Sequence, residues 1–306
     1  MRHLLLLLFS TAVCANPLAY VPNEKSGTLS VIDTTLDKVI GEIPAGSKPR
    51  GLAIDADWIY VSDQPRNALH VIDLRKRAIA RTIELGESPE GVSLSPDGKT
   101  VAVASEIANA VILIESSTGK ILATVKTQGQ NPEHAVFSPD GRWLYVSAED
   151  ASQVDVVDVA ARKQTAAVEV GKRPRGIAFT PDGARAYVAC ELANTVYAID
   201  VRKHAVMAAI PAGQFSNGVA MRPDGQRVYV SNGRGASVSV IDTRSNQVVA
   251  TVPVGERPWN MAHTPDGRKL YVANGRSNSV SVIDTGTDTR VSDITVGAMP
   301  WGVAIR

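Results

Sequence analysis

One unit of sequence recurs down this chain at a spacing of about 40 residues, and a period of that size limits the fold more than any other feature does. Tyr229-Val230 returns as Tyr271-Val272, and Ile241-Asp242 returns as Ile283-Asp284, each after 42 residues. The Tyr-Val element stands at Tyr20, Tyr60, Tyr145, Tyr187, Tyr229 and Tyr271, with Ala102 in the Tyr slot of the third copy. The Ile-Asp element ends at Asp33, Asp73, Asp158, Asp200, Asp242 and Asp284, with Glu115 in the third copy. A Pro-Asp-Gly tripeptide begins at Pro96, Pro139, Pro181, Pro223 and Pro265, and the first copy carries Asp55-Ala56-Asp57 instead. Seven copies result, the third being the most divergent.

Each copy reads as four short strands. Gly176-Ile177-Ala178-Phe179 runs into Pro181-Asp182-Gly183, where Pro presets φ and Gly accepts a positive φ, so the tripeptide closes a hairpin. Ala186–Ala189 follows as the second strand. Val238–Ile241 shows the alternation of a third, and Val248–Val252 is a fourth, closed by Gly255. No stretch has a helical period. The Asp of each Ile-Asp pair is expected to cap a turn, because it recurs where only hairpin geometry recurs. Four antiparallel strands repeated seven times predict an all-β fold, a seven-bladed β-propeller, which hides its sheet edges by radial repetition. The chain begins on a second-type strand, Leu18–Val21, and finishes on a first-type strand, Gly302–Ile305. The C-terminal strand is therefore expected to join the N-terminal blade and close the ring; a linear array would need capping repeats.

At the N-terminus, Arg2 and His3 precede an apolar run, Leu4–Phe9, followed by small residues up to Ala15. This pattern is that of a signal peptide over residues 1–15, cut before Asn16, with residues 16–306 forming the propeller. A lipoprotein leader built on Cys14 is the rival, disfavoured by Val13. The run is too short to span a bilayer. Export is the expectation. Loss of residues 1–15 removes Arg2 and leaves 31 acidic residues balanced by as many basic ones. A neutral chain lacks the basic field of a general nucleic-acid binder. Cys190 then stands alone, so no internal disulfide can form; a buried, inert thiol is expected there.

The repeated YVANGRSNSVSVID resembles the YVTN-type seven-bladed propellers over the whole span from Leu18 to Arg306. The variants EGVSLSPDG, NPEHAVFSPDG and RPWNMAHTPDG, with the leader, are most similar to the propeller proteins associated with pyrroloquinoline-quinone (PQQ)-dependent alcohol catabolism. The resemblance implies a periplasmic role beside quinoprotein dehydrogenases. It carries no catalytic residues with it. The tryptophan-docking repeats of those dehydrogenases are absent.

Aligning the copies exposes one slot, Pro-x-Gly, that varies while its surroundings repeat. It holds Arg50, Glu90, Glu133, Arg175, Asn217, Trp259 and Trp301, which should ring the mouth of the central channel. With His134, which replaces Gly in the adjacent position, these are the candidate ligand-binding residues. Aromatic faces with charged groups suit a small molecule, and Arg50 and Arg175 suit a carboxylate. A flat anion such as PQQ fits that description; a ring satisfied by its own Arg–Glu pairs fits it too. The second-to-third loops add Asp63, Arg66, Glu106, Glu149, Asp150, Glu191, Arg234 and Arg276 to the same face, for most of which solvated loop charge is the expectation. His263 is expected in the core, and Trp58 and Trp143 read as structural. Phosphate-binding Gly loops, HExxH, CxxCH and Gly-x-Ser-x-Gly are all missing.

Three functions stay open. The first is a non-enzymatic binding or scaffold propeller using this face, without a resident cofactor, metal or catalytic group; it would act as a monomer on a small anion, a quinoprotein dehydrogenase or a cytochrome. The second is a metal-assisted lyase or lactonase at the mouth, with metal among Glu90, Glu133 and His134. The third is single-stranded nucleic-acid binding by Trp259 and Trp301 with Arg234 and Arg276, which overall neutrality disfavours.

Overall fold

Hairpin chemistry repeated along the chain folds it into seven sheets of four antiparallel strands, blades 1 to 7 in chain order. The computed structural model describes residues 16–306; the expected leader lies outside the described residues. The inner strands of blades 2 to 7 are Pro49–Ile54, Pro89–Leu94, Pro132–Phe137, Pro174–Phe179, Ser216–Met221 and Pro258–His263. Blade 6 shows the pattern: its inner strand is followed by Arg227–Asn232, Ser237–Asp242 and Gln247–Pro253. The only helical turns among the described residues are Gln64–Arg66 and Glu149–Ala151. No helix of the described residues is long and apolar enough to cross a membrane.

Local signals work as their chemistry requires. In blade 5, Asp182 accepts from Thr180 Oγ1 (2.6 Å) and from the Ala184 amide (3.0 Å), while Gly183 takes φ +67°. Asp242 Oδ1 accepts from the amides of Arg244 (3.0 Å) and Ser245 (2.8 Å), the turn-capping role expected of the Ile-Asp pair. Burial falls off radially. The second strand of blade 7, Lys269–Asn274, is buried beyond its first residue, whereas in its outer strand, Thr289–Thr295, Ile294 alone is buried.

The blades are joined by side chains that local sequence cannot pair. Tyr145, Tyr187, Tyr229 and Tyr271 are fully buried, and each hydroxyl reaches the outer turn of the next blade. Tyr145 meets His204 Nδ1 at 2.8 Å, Tyr187 donates to Asn246 at 2.9 Å and Tyr229 to Asp288 at 2.7 Å. The receiving residues share a left-handed backbone, φ 49–53°, at the tip of that turn. Tyr271 continues the series around the ring to Asp37 of blade 1, which also binds Lys269 at 2.7 Å.

Ring closure occurs as expected, with a shorter strand. Ala304–Ile305 pairs with the first strand of blade 1, Leu18–Asn23, through Ala19 and Tyr20, and a lone bridge joins Asn23 to Pro300. Behind it, Ala19, Val21 and Ile32 pack on Tyr271, Val280 and Val282 of blade 7. Cys190 is buried, and its thiol is pushed up to about 12 by burial, so thiolate chemistry is suppressed.

Candidate channel-mouth site

Each inner strand carries a bulge at its start. In blade 5, Pro174 pairs with Cys190 and Ile177 with Val188, leaving Arg175 and Gly176 opposite Ala189 alone. The same shift recurs in blades 2, 3, 4, 6 and 7. A bulge re-aims side chains, and here it turns the variable slot towards the axis. Its small neighbour lets adjacent blades touch: a Cβ on Gly51 would stand 2.3 Å from the Glu90 carbonyl oxygen, and one on Gly91 2.6 Å from that of Glu133.

The slot residues do gather at the mouth. Arg50, Glu133, Arg175, Asn217, Trp259 and Trp301 line a polar cavity of about 310 Å³, while Glu90 lies fully buried behind Arg50 and bonded to it. Above them stands a second tier, from the residue just after each second strand: Glu24, Gln64, Glu106, Glu149 and Glu191, then Gly233 and Gly275. Glu149 and Glu191 are not solvated loop charges as expected but only 5% and 1% exposed. They are held there by arginines from other loops.

Arg175 is the hub. It bonds Glu133 at 2.6 Å and Glu191 at 3.1 Å, and it also bonds Glu149. Arg173 reaches Glu149 and Glu191 at 3.3 Å each, and Arg257 reaches Glu191 at 3.1 Å. On the other side Glu24 accepts from Arg50 and Lys48 at 3.3 Å each. The network separates its carboxyls. Burial, the largest single influence, would raise Glu133, but Arg175 together with His134, Arg50 and Arg173 outweighs it and holds Glu133 below its ordinary range. Glu90 is pushed up to about 9, first by burial and then by Glu133, and one of its oxygens has no partner. Glu149 is pushed up to about 7 by the same two causes in the same order. Such separation of neighbouring acids occurs in catalytic clusters and in buried ion-pair networks alike.

His134 explains its departure from Gly by filling the channel. Its ring stacks on Trp301 (5.6 Å between centroids, 16° between planes), and Trp301 meets Trp259 edge-on at 6.3 Å. Both ring nitrogens are buried without a hydrogen-bond partner, and burial lowers the His134 pKa. Beneath this layer the channel narrows to about 150 Å³, walled in part by Leu52, Val92, Ile177, Val219 and Val303. Trp301 is thus buried and offers no open face to a nucleobase. The carboxylates that converge among the described residues are Glu106, Glu133 and Glu149, with oxygens within 4.8 Å of one another, rather than Glu90 and Glu133 around His134. Arg175 already places positive charge between Glu133 and Glu149, where a cation would otherwise sit. Two further histidines are structural: His70 bonds Thr82 and Asp63, and His263 packs edge-on against Tyr229 at 5.0 Å.

The collar acids were visible as an alignment column, yet nothing local marked them as buried. The sequence profile of one family, described as lactonase, 7-bladed beta-propeller, matches residues 77–165 and 159–298. No curated protein sequence matches the chain. Among solved structures it is similar to a chain of hydrazine synthase from Kuenenia stuttgartiensis, with 24% identity, a TM-score of 0.80, and 88% of this chain and 92% of that one covered. A functionally unknown protein from Desulfotomaculum acetoxidans gives 17%, 0.83, 94% and 98%, respectively. The dihydro-heme d1 dehydrogenase NirN in complex with DHE gives 14%, 0.69, 94% and 74%. At such identities the likeness is one of fold.

Proposed function

Since the chain belongs to the seven-bladed lactonase β-propeller family, we propose that its channel mouth takes up a small carboxylated molecule and opens a lactone ring in it. The observation that carries this reading is Glu149, a buried carboxyl raised to about 7 beside the Arg175 guanidinium on the wall of a polar cavity. A group with a pKa near the working pH both accepts and returns a proton efficiently. Ring opening adds water across the acyl C–O bond. Glu149, as carboxylate, takes a proton from water as its oxygen bonds the carbonyl carbon. Arg173 and Arg175 stabilise the charge that develops on the carbonyl oxygen. The ring C–O bond then breaks, and the proton held by Glu149 passes to the departing alkoxide. No metal is needed in this scheme, because arginine supplies the positive charge.

The leader-like pattern of residues 1–15 and the resemblance to PQQ-associated propellers support a periplasmic setting. Oxidation of a cyclic hemiacetal by a quinoprotein dehydrogenase yields a lactone, which this protein would open, alone or docked to the dehydrogenase or its cytochrome. A non-enzymatic role is the second reading, favoured by one observation: Arg50 and Arg175 are already bonded to the protein's own carboxylates, which leaves them less free to act on a carbonyl.

A pH-stat assay over a set of γ- and δ-lactones tests the first reading. The wild type should release acid at a rate that rises with pH through about 7, and Glu149→Gln should lower that rate by about 10²-fold or more. If the wild-type protein opens no lactone faster than buffer does, catalysis is ruled out and calorimetric binding of carboxylates becomes the measure of the second reading.

A further inference from the structure

The collar of acids is incomplete. Blades 1 to 5 set Glu24, Gln64, Glu106, Glu149 and Glu191 around the mouth, but blades 6 and 7 place Gly233 and Gly275 in the same position. Two neighbouring blades thus lack a wall side chain, and a groove of about 850 Å³ opens sideways from the mouth at that gap. It shares Arg173, Arg257 and Trp259 with the mouth cavity, so the two spaces adjoin, with the Arg257 side chain over Gly233 between them. Both spaces are lined by more basic than acidic side chains, and the groove sets Arg173, Arg234, Arg257 and Arg276 against Glu191 and Glu256.

Two of these arginines are spoken for. Arg173 and Arg257 both bond Glu191. Arg234 and Arg276 have no carboxylate within ion-pair distance among the described residues. The Arg234 guanidinium carbon lies over the Phe215 ring, 3.8 Å from its centroid. Stacking of this kind preorganises the planar donor fork. The loops carrying both residues are pinned by backbone hydrogen bonds, Arg234 N to Gln214 O at 3.2 Å and Arg276 N to Glu256 O at 3.1 Å. Two excess positive charges on a rigid frame, in a groove of ligand-pocket size, match a small molecule carrying two negative charges.

We propose that this groove is the docking site of a small dianion, held by Arg234 and Arg276, whose uncharged end passes Trp259 through the collar gap to the mouth. The shared chemistry is paired anionic oxygens, from two carboxylates or one phosphate monoester. The destination of the uncharged end rests on the lactone-opening reading; the docking of the anion does not.

Calorimetry with the full protein separates the two. Succinate and glutarate represent dicarboxylates, glycerol 3-phosphate the phosphate monoester and butyrate the monoanion. A dicarboxylate or the phosphate ester should bind at least about tenfold more tightly than butyrate, and less tightly as salt rises. Arg234→Gln/Arg276→Gln, altering two exposed side chains, should weaken it about 10²-fold or more, the consequence of losing two charge-assisted bonds. Gly275→Glu, which fills one of the two empty collar positions, one where a Cβ finds only ordinary contacts of 3.4–3.7 Å, should weaken it as well. Glu149→Gln should leave it in place. Equal binding of butyrate and dianions, wild-type affinity in the arginine double variant, or no dianion binding at all would each overturn the proposal. Lactone turnover without dianion binding would overturn the docking site alone, and dianion binding without turnover would remove the lactone reading alone.

Discussion

Replacing Arg175 with methionine probes whether the mouth network is a low-dielectric assembly or a solvated set of charges. The side chain is 12% exposed and bonds three carboxylates, Glu133, Glu149 and Glu191. Removing one partner of a buried pair costs about 3–5 kcal/mol, because the other charge stays buried without compensation. Glu149 and Glu191 keep Arg173, and Glu191 also keeps Arg257, so the burden falls on Glu133. A chain of this size unfolds with an entropy of about 0.6 kcal/mol/K, so the loss corresponds to a Tm lower by about 5–8 °C. The effect must depend on pH. Without Arg175, the Glu133 pKa rises from its depressed value to above that of the unfolded chain. The destabilisation is then small in acid, where the unfolded carboxyl is protonated too, and grows as pH rises towards the new folded pKa. Calorimetric melts of wild type and variant at pH 4 and pH 8 read this directly. Arg175→Met/Glu133→Gln should recover part of the loss at pH 8. A variant within about 1 kcal/mol of wild type at both pH values would refute the reasoning and mean that water screens the network.

Three further outcomes are expected. Gly91→Ala forces a Cβ to within 2.6 Å of the Glu133 carbonyl and should cost about 1–3 kcal/mol in urea unfolding, whereas Gly275→Ala, with contacts of 3.4 Å or more, should shift the midpoint little. Tyr271→Phe strips the Asp37 carboxylate and the Thr34 carbonyl of a donor at the ring closure and should lower stability by about 1–3 kcal/mol, with hydrogen exchange rising first in blade 1. Cys190 should resist a thiol reagent in the native protein and react at once in denaturant, since burial both hides the thiol and lifts its pKa to about 12.

Much of the fold was legible because its determinants are local. Pro181-Asp182-Gly183 makes its own turn, Asp242 caps the next one, and alternation assigns strands without reference to the other blades. The slot from Arg50 to Trp301 was legible as well, because variation inside a strict repeat marks a position freed from blade geometry. Two features were not. Glu149 and Glu191 looked like solvated loop acids, and their burial follows from arginines on blade 5, Arg173 and Arg175, and on blade 7, Arg257. Trp301 looked like an open stacking face until His134, from the far side of the channel, was found lying on it.

The sequence by itself determined the blade, its copy number and the ring's closure, since hairpin turns, strand alternation and the staggered start are properties of residues close together along the chain. Tertiary structure alone decided the chemistry at the axis. Which carboxyl is held low and which is raised, which arginine is saturated and which is left over, and where the collar opens all depend on side chains from different blades meeting across the channel. Desolvation and Coulomb interaction act through space, and their sign at any one residue is set by neighbours that the chain order does not name.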